Sequence, residues 1–208
     1  KWGLILIFLI LALFLRFRLA FWVSLGIPIS FLGAFWLMPT LDVSINLISL
    51  FAFILVLGIV VDDAIIVGEN IHTHQHRTDK GLEGSISGAR EVGTPVIFAV
   101  LTTVAAFGPL LFIAGSMGKV MRVIPLIVIP CLLWSLVESM WVLPAHLSHY
   151  KAKERPDNIW RRFQAHFSRG LRRFIEKVYS PTLEHALRWR YLTIALGIGT
   201  LFITLGLV

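Results

Sequence analysis

The stretch GIVVDDAIIVGENI, Gly58 to Ile71, sets two adjacent aspartates, Asp62 and Asp63, inside one of the most apolar runs of the chain. At the centre of a membrane helix one aspartate costs about 2.5–3.5 kcal/mol on insertion scales, so a pair is a heavy burden. Whether this run is a membrane helix therefore decides both the fold and the chemistry.

The composition answers first. Of 208 residues 57% are hydrophobic and 15% charged, with a mean hydropathy of +0.81, whereas a soluble domain carries about 45–50% apolar and about 25% charged residues. Runs approaching 20 apolar residues, the length that crosses a hydrocarbon core of about 30 Å as helix, recur at Trp2–Leu15, Leu19–Met38, Leu47–Gly68, Pro95–Ala114, Val120–Leu143 and Tyr191–Val208. No strand-length segment alternates with period two, which argues against a β-barrel. The sequence predicts an all-α fold: a polytopic membrane bundle of six transmembrane helices with one cytoplasmic interfacial amphipathic helix. Residues 1–147 form five spans, 148–188 a basic cytoplasmic connection, and 189–208 the sixth span. The start at Lys1, the short first run before Arg16 and the final LGLV without a polar flank suggest an interior piece of a longer protein. No small-residue cleavage site follows the first run, so a signal peptide is a poor reading of it.

Basic residues orient the bundle. Six spans divide the connections into two alternating sets, and sixteen of the nineteen Lys and Arg fall in one: Arg16, Arg18, Arg77, Lys80, Arg90 and eleven between Pro144 and Arg190. The positive-inside rule places that set in the cytoplasm and both termini outside. The net charge of +7 follows from this bias, and nucleic acid is not needed to explain it. Cys131 is the single cysteine and can form no internal disulfide. In DNIWRRFQAHFSRGLRRFIEKVY, from Asp157, residues Trp160, Phe163, Phe167, Leu171, Phe174 and Val178 recur at steps of three and four, with arginines filling the rest. Such a helix lies in the headgroup plane of an anionic leaflet, with Trp160, Phe163, Phe167 and Phe174 toward lipid. A calmodulin-target helix shares the pattern, but this one is tethered between two spans. Asp157 and Asn158 supply its cap signal, and Ser180–Pro181 its stop.

Aspartate side chains are too short to snorkel easily, and adjacent residues project about 100° apart on a helix, so the acids flank one helix edge that must meet protein or a wet cavity. A structural pair hydrogen-bonded to neighbouring helices is one reading. Proton binding is the other, because intramembrane acids mark proton and ion paths and burial favours the protonated form. A cationic partner on another helix would switch the pair, yet only Arg122, at the outer edge of a span, lies within any of the six runs. The site is half a site.

Other residues compete. His72, His74 and His76 alternate just beyond the Leu47–Gly68 run, but no carboxylate or thiol completes a ligand set, so a solvated helix extension is preferred over a metal centre. Glu138 lies six residues before Pro144, about 9 Å inside its span. Pairing with a basic residue at the cytoplasmic interface is preferred, and membership of a proton path is the alternative. Pro28, Pro109, Pro125 and Pro130 mark candidate kinks. Gly58, Ala64 and Gly68 allow close helix approach. No nucleotide loop, nucleophile triad or cysteine–histidine cluster supports an enzyme, and no cofactor beyond the coupling proton is expected.

In order along the chain, FLRFRLAFWVSLGIPISFLGAFW, GIVVDDAIIVGENI, AREVGTPVIFAVLTTVAAFGPLLFIAGSMG and VESMWVLPAHL resemble blocks of the resistance–nodulation–division (RND) efflux pumps, the proton-driven multidrug exporters of Gram-negative inner membranes. The resemblance covers the whole chain and matches their second to seventh helices in the amino-terminal half. It implies an acriflavine-resistance-type inner-membrane proton/drug antiporter, with Asp62 and Asp63 as proton-relay carboxylates. A lysine and an arginine of a carboxyl-terminal half, which have no counterpart here, would complete the relay. It implies a homotrimer working with a periplasmic adaptor and an outer-membrane channel, in a bacterial inner membrane. The piece alone is not expected to transport. The aspartate pair favours organic substrates over metal ions. A heavy-metal RND exporter, and a non-transporting scaffold or sensor-type relative, stay open as alternatives.

Overall fold

A computed structural model describes residues 2–78, 80–149 and 159–206, and every regular element among them is helical. In chain order these are α1 (Trp2–Phe14), α2 (Phe17–Leu37), α3 (Leu47–Thr78), α4 (Gly81–Phe107, continued as a 3₁₀ turn Gly108–Phe112), α5 (Gly115–Met121), α6 (Val123–Val137, continued as a π turn Glu138–Val142), α7 (Leu143–Ser148), α8 (Ile159–Phe174, continued as a π turn Ile175–Tyr179), α9 (Ser180–Arg188) and α10 (Arg190–Gly206). Four stretches are long and apolar enough to cross a membrane: Phe17–Leu37, Leu47–Thr78, Gly81–Phe112 and Gly115–Ser148. The pair Ser168–Arg188 and Arg190–Gly206, bent by 96°, makes a fifth if taken as one span, and α1 offers only the shorter apolar stretch Ile5–Phe14. The chain is a multi-pass, all-helical membrane protein with four or five candidate spans by length and composition.

Local sequence sets the helix ends. Asn46 caps α3, its Oδ1 accepting from the backbone N–H groups of Ile48 and Ser49 at 2.9 Å each, while Ser49 Oγ accepts from Asn46 N–H at 2.7 Å. That reciprocal pair satisfies donors the first helical turn leaves open. α3 then runs ten residues past the apolar stretch that ends at Gly68, so Asp62 and Asp63 fall at the midpoint of the whole helix. α4 begins at Gly81, well before the expected start at Pro95, which lies inside it. Its first half is polar by composition but is held by small residues. A Cβ added at Gly84 would stand 2.7 Å from Gln75 Cα, and one at Gly88 2.6 Å from Ile71 Cα, so backbone packs on backbone.

Two prolines are accommodated alike. Each π turn is followed after one residue by proline, Pro144 and Pro181, and the N–H closing each turn reaches back five residues, Leu143 to Glu138 and Ser180 to Ile175. A proline ring clashes with the carbonyl four residues earlier in regular helix, and a π turn re-routes the hydrogen bonds there. Ser180–Pro181 therefore does not stop the helix, as the sequence suggests; the helix continues to Arg188 and breaks at Trp189. The cap signal at Asp157 and Asn158 lies outside the described residues.

The chain divides into two compact units, Lys1–Glu154 and Arg155–Val208. In the first, α2, α3, α4 and α6 enclose two apolar clusters. One contains Leu19, Val23, Ala64, Val67, Ile71, Val96 and Leu143; the other Ala34, Phe53, Val56, Val60, Val100, Ile127 and Leu132. In the second, no described residue of α8, α9 or α10 is buried. Large apolar side chains of α10 such as Leu196, Phe202 and Ile203 are exposed within the unit, as lipid-facing residues would be.

Candidate functional site

The seam between the two clusters carries the polar groups of the bundle. Val60 belongs to one cluster and Ala64 to the other, with Asp63 between them. Asp63 is 6% exposed, and its Oδ2 has no hydrogen-bond partner among the described residues. Asp62, one residue earlier, is exposed. The expected 100° divergence thus sends one acid into the bundle and the other out of it.

Two contacts align α3 with α6 and its continuation α7. Ser135 Oγ donates to Val60 O at 3.5 Å, and near the other end Gln75 Nε2 donates to Leu147 O at 2.9 Å, so the two helices run parallel. One turn beyond Val60 is Asp63, and one turn beyond Ser135 is Glu138, at the same depth. Glu138 is 3% exposed, and its carboxyl lies on α2, where a Cβ at Gly26 would stand 2.6 Å from its Cδ and Oε2. The structure does not give Glu138 the interfacial basic partner expected from sequence: no ion pair to it occurs among the described residues. It occupies the space left by a missing side chain.

α2 runs antiparallel to α3. Leu19 Cδ1 would meet a Cβ at Gly68 at 2.5 Å, and Phe31 and Phe35 pack on Phe53 with ring centroids 5.0 and 4.6 Å apart. Five residues in from Leu19 and from Gly68, this register puts Ser24 level with Asp63. Ser24 Oγ is also buried without a partner among the described residues. Nearby hydroxyls are satisfied by carbonyls, Ser30 by Gly26 at 3.0 Å and Ser139 by Leu136 at 3.3 Å.

A second polar group holds the ends of α3 and α4 together. Asn70 Nδ2 donates to Gly88 O at 2.8 Å and to Glu91 Oε2 at 3.0 Å, and His74 Nε2 contacts the same carboxylate. The Asn70 hydrogen bond, then that of His74, holds the Glu91 carboxyl below its ordinary range. The histidines do extend the helix, and His72 and His76 meet edge to face at 4.4 Å. Sequence reasoning missed the carboxylate beside them because Glu91 arrives from the next helix. Among the described residues no three metal-ligating side chains gather.

A family model described as the AcrB/AcrD/AcrF family matches residues 2–208. The chain belongs to the AcrB/AcrD/AcrF family. It is therefore a membrane portion of an RND-type transporter, and its apolar helices are those of a multi-pass protein. Within this member of the family the structure separates Asp62 from Asp63 and brings Asp63, Ser24 and Glu138 to one level. Sequence reading had signalled Asp63 and Glu138 by their cost in an apolar run; Ser24 and Gly26 carry no such signal. The side chains of Trp160, Phe163 and Phe167 lie outside the described residues, and Phe174 is exposed within its unit.

Proposed function

We propose that this chain is the transmembrane portion of a proton-motive-force-driven exporter of drugs or other organic compounds, working by proton antiport in a bacterial inner membrane. The observation that carries the reading is the buried carboxyl of Asp63, its Oδ2 without a partner among the described residues, in the middle of an apolar bundle, within a family of RND-type transporters. An intramembrane acid facing the bundle interior is a functional residue by default. Protonation removes its charge, and a cationic partner from a carboxyl-terminal half is held or released accordingly. Each proton moving inward yields about 2.3 kcal/mol per 100 mV of membrane potential and about 1.36 kcal/mol per pH unit, and the acids admit that energy to the helices. The whole transporter works as a homotrimer with a periplasmic adaptor and an outer-membrane channel. Six helices cross the bilayer, with α8 lying on its cytoplasmic surface.

In the full-length protein, Asp63→Asn and Asp62→Asn abolish export while the protein remains folded and inserted. Normal export by both variants in cells would reduce the pair to a structural element and overturn the proposal. Orientation is checked separately: a cysteine introduced at Thr40 reacts with an impermeant reagent from outside, and one at Lys80 does not.

A further inference from the structure

We propose that the groove where the start of α2 meets α7 binds the phosphodiester of an anionic phospholipid, with the acyl chains laid along the apolar ridge of α2 beside it. The groove has a volume of about 380 Å³ and is lined by Arg18, Trp22, Ala145, His146 and His149. Its polar groups are held in place by the protein. Arg18 Nη2 donates to His146 O at 3.3 Å. The Trp22 ring packs on the His146 ring, with centroids 4.1 Å apart and planes tilted by 38°. His146 Nδ1 donates to Val142 O at 2.8 Å, and His149 Nδ1 to Ala145 O at 3.4 Å. A carbonyl only accepts, so each Nδ1 carries a proton and Nε2 lies on the other edge of the ring.

A guanidinium, two imidazoles and an indole N–H are a donor set suited to phosphate oxygens, and among the described residues that line the groove there is no carboxylate. The carbonyl end of a helix ordinarily repels an anion. Here three carbonyls of that end, those of Val142, Ala145 and His146, each accept from one of these donors, so the end is masked. From the other side the amino-terminal end of α2 adds its positive dipole, because Arg16 before it supplies no acceptor to cap the first turn. The two arginines of this stretch serve different neighbours. Arg18 turns to α7, whereas Arg16 acts electrostatically on Glu69 and His72 of α3.

Position selects a lipid over a free phosphate. The groove lies where two stretches long and apolar enough to cross a membrane, Phe17–Leu37 and Gly115–Ser148, have their ends. Arg18 and Trp22 are one turn apart on α2, and the next ridge carries Phe17, Phe21 and Leu25 at steps of four, all exposed. That ridge runs from the groove along the span, and Phe21 meets Trp22 edge to face with centroids 5.5 Å apart. Tryptophan and basic residues anchor a helix at headgroup depth, and basic pockets between spans hold acidic head groups. A phosphate ion would use only the polar end of this surface; a phospholipid uses the donors and the ridge together.

The test is photolabelling of the full-length transporter in phosphatidylcholine vesicles doped with phosphatidylglycerol that carries a diazirine in its acyl chain, read by peptide mass spectrometry. Label falls on Phe21 and Leu25. Arg18→Gln lowers it by about fivefold, the worth of one cationic group beside an anionic headgroup, and His149→Gln lowers it in the same sense. Arg122→Gln, between α5 and α6, leaves it unchanged. Phosphatidylcholine bearing the same diazirine labels this ridge no more than other exposed apolar residues, and Arg18→Gln does not alter that label. Phosphatidylglycerol label unchanged in Arg18→Gln, or reduced equally in Arg122→Gln, overturns the site. If Arg18→Gln does not insert, His149→Gln, at an exposed position, decides by the same comparison. Label that excess inorganic phosphate removes would assign the groove to a free anion and overturn the lipid.

Discussion

The two faces of α3 have almost the same composition and opposite surroundings. On one lie Val56, Val60, Asp63, Val67 and Ile71, all buried; on the other Ile54, Asp62 and Ile66, all exposed. Apolar residues on both faces are expected of a helix with protein on one side and lipid on the other, because lipid tails are as apolar as a core. Hydrophobicity therefore does not distinguish the faces. Residue size and contact geometry do: Gly84 and Gly88 of α4 press on the inner face through backbone atoms, whereas Ile54 and Ile66 on the outer face are exposed.

Substitutions on opposite faces should split accordingly. The largest effect is steric. Gly88→Leu pushes against the α3 backbone at Ile71 and lowers resistance to unfolding by about 1–3 kcal/mol or more, while Ile66→Ala on the outer face moves it by less than about 0.5 kcal/mol. Unfolding of the purified protein in mixed micelles measures both, and equal losses would erase the distinction between the faces. Next comes the buried acid. In this chain alone, Asp63→Leu replaces a buried carboxyl whose Oδ2 has no partner among the described residues with apolar bulk and raises stability by about 1–3 kcal/mol, whereas Asp62→Leu leaves it nearly unchanged. Destabilisation by Asp63→Leu would show a strong partner for the carboxyl in the assembled protein.

A third, smaller effect lies in the basic helix of the second unit. Reversing Arg169, Arg172 or Arg173 weakens attachment of α8 to anionic vesicles by about 1 kcal/mol each, and Trp160 becomes accessible to an aqueous quencher. A Trp160 already fully aqueous in the unmodified protein would remove the interfacial assignment.

The smallest effect is at the joined ends of α3 and α4. The Glu91 carboxyl is held below its ordinary range, so its folded-state value is depressed. The stabilisation it gives is then present above the unfolded value and fades as pH falls through the lowered one. Glu91→Gln consequently lowers stability slightly at neutral pH and flattens the acid limb, and the two proteins converge once pH falls below the lowered value. Equal stability at neutral pH with a difference confined to acid would contradict the assignment.

Much of this was legible in sequence and some was not. Leu47–Gly68 announced a membrane helix by composition alone, and the cost of Asp62 and Asp63 marked them as worth explaining. Which acid turns inward was not legible, because that depends on α2 and α6, brought alongside by contacts far apart in the chain. The early start of α4 was hidden for a related reason: GLEGSISGAREVG reads as a polar approach, and its glycines show their purpose only against the backbone of α3. Ser180–Pro181 misled because a proline stops a regular helix, but a π turn one residue before it removes the clash. Glu138 pointed to the interface by its distance from Pro144, and its true neighbour is a glycine with no side chain to betray the space.

The Gly84 and Gly88 contacts have a mechanical consequence. Helices that touch through side chains can slide, since rotamers yield; helices seated backbone to backbone on two successive turns cannot, and Asn70 and Gln75 bolt the same stretch by hydrogen bonds to α4. α3 and α4 form one stiff arm with its fulcrum elsewhere. A shift of the Ile71–Gln75 turns of α3 therefore carries the first turns of α4 with it.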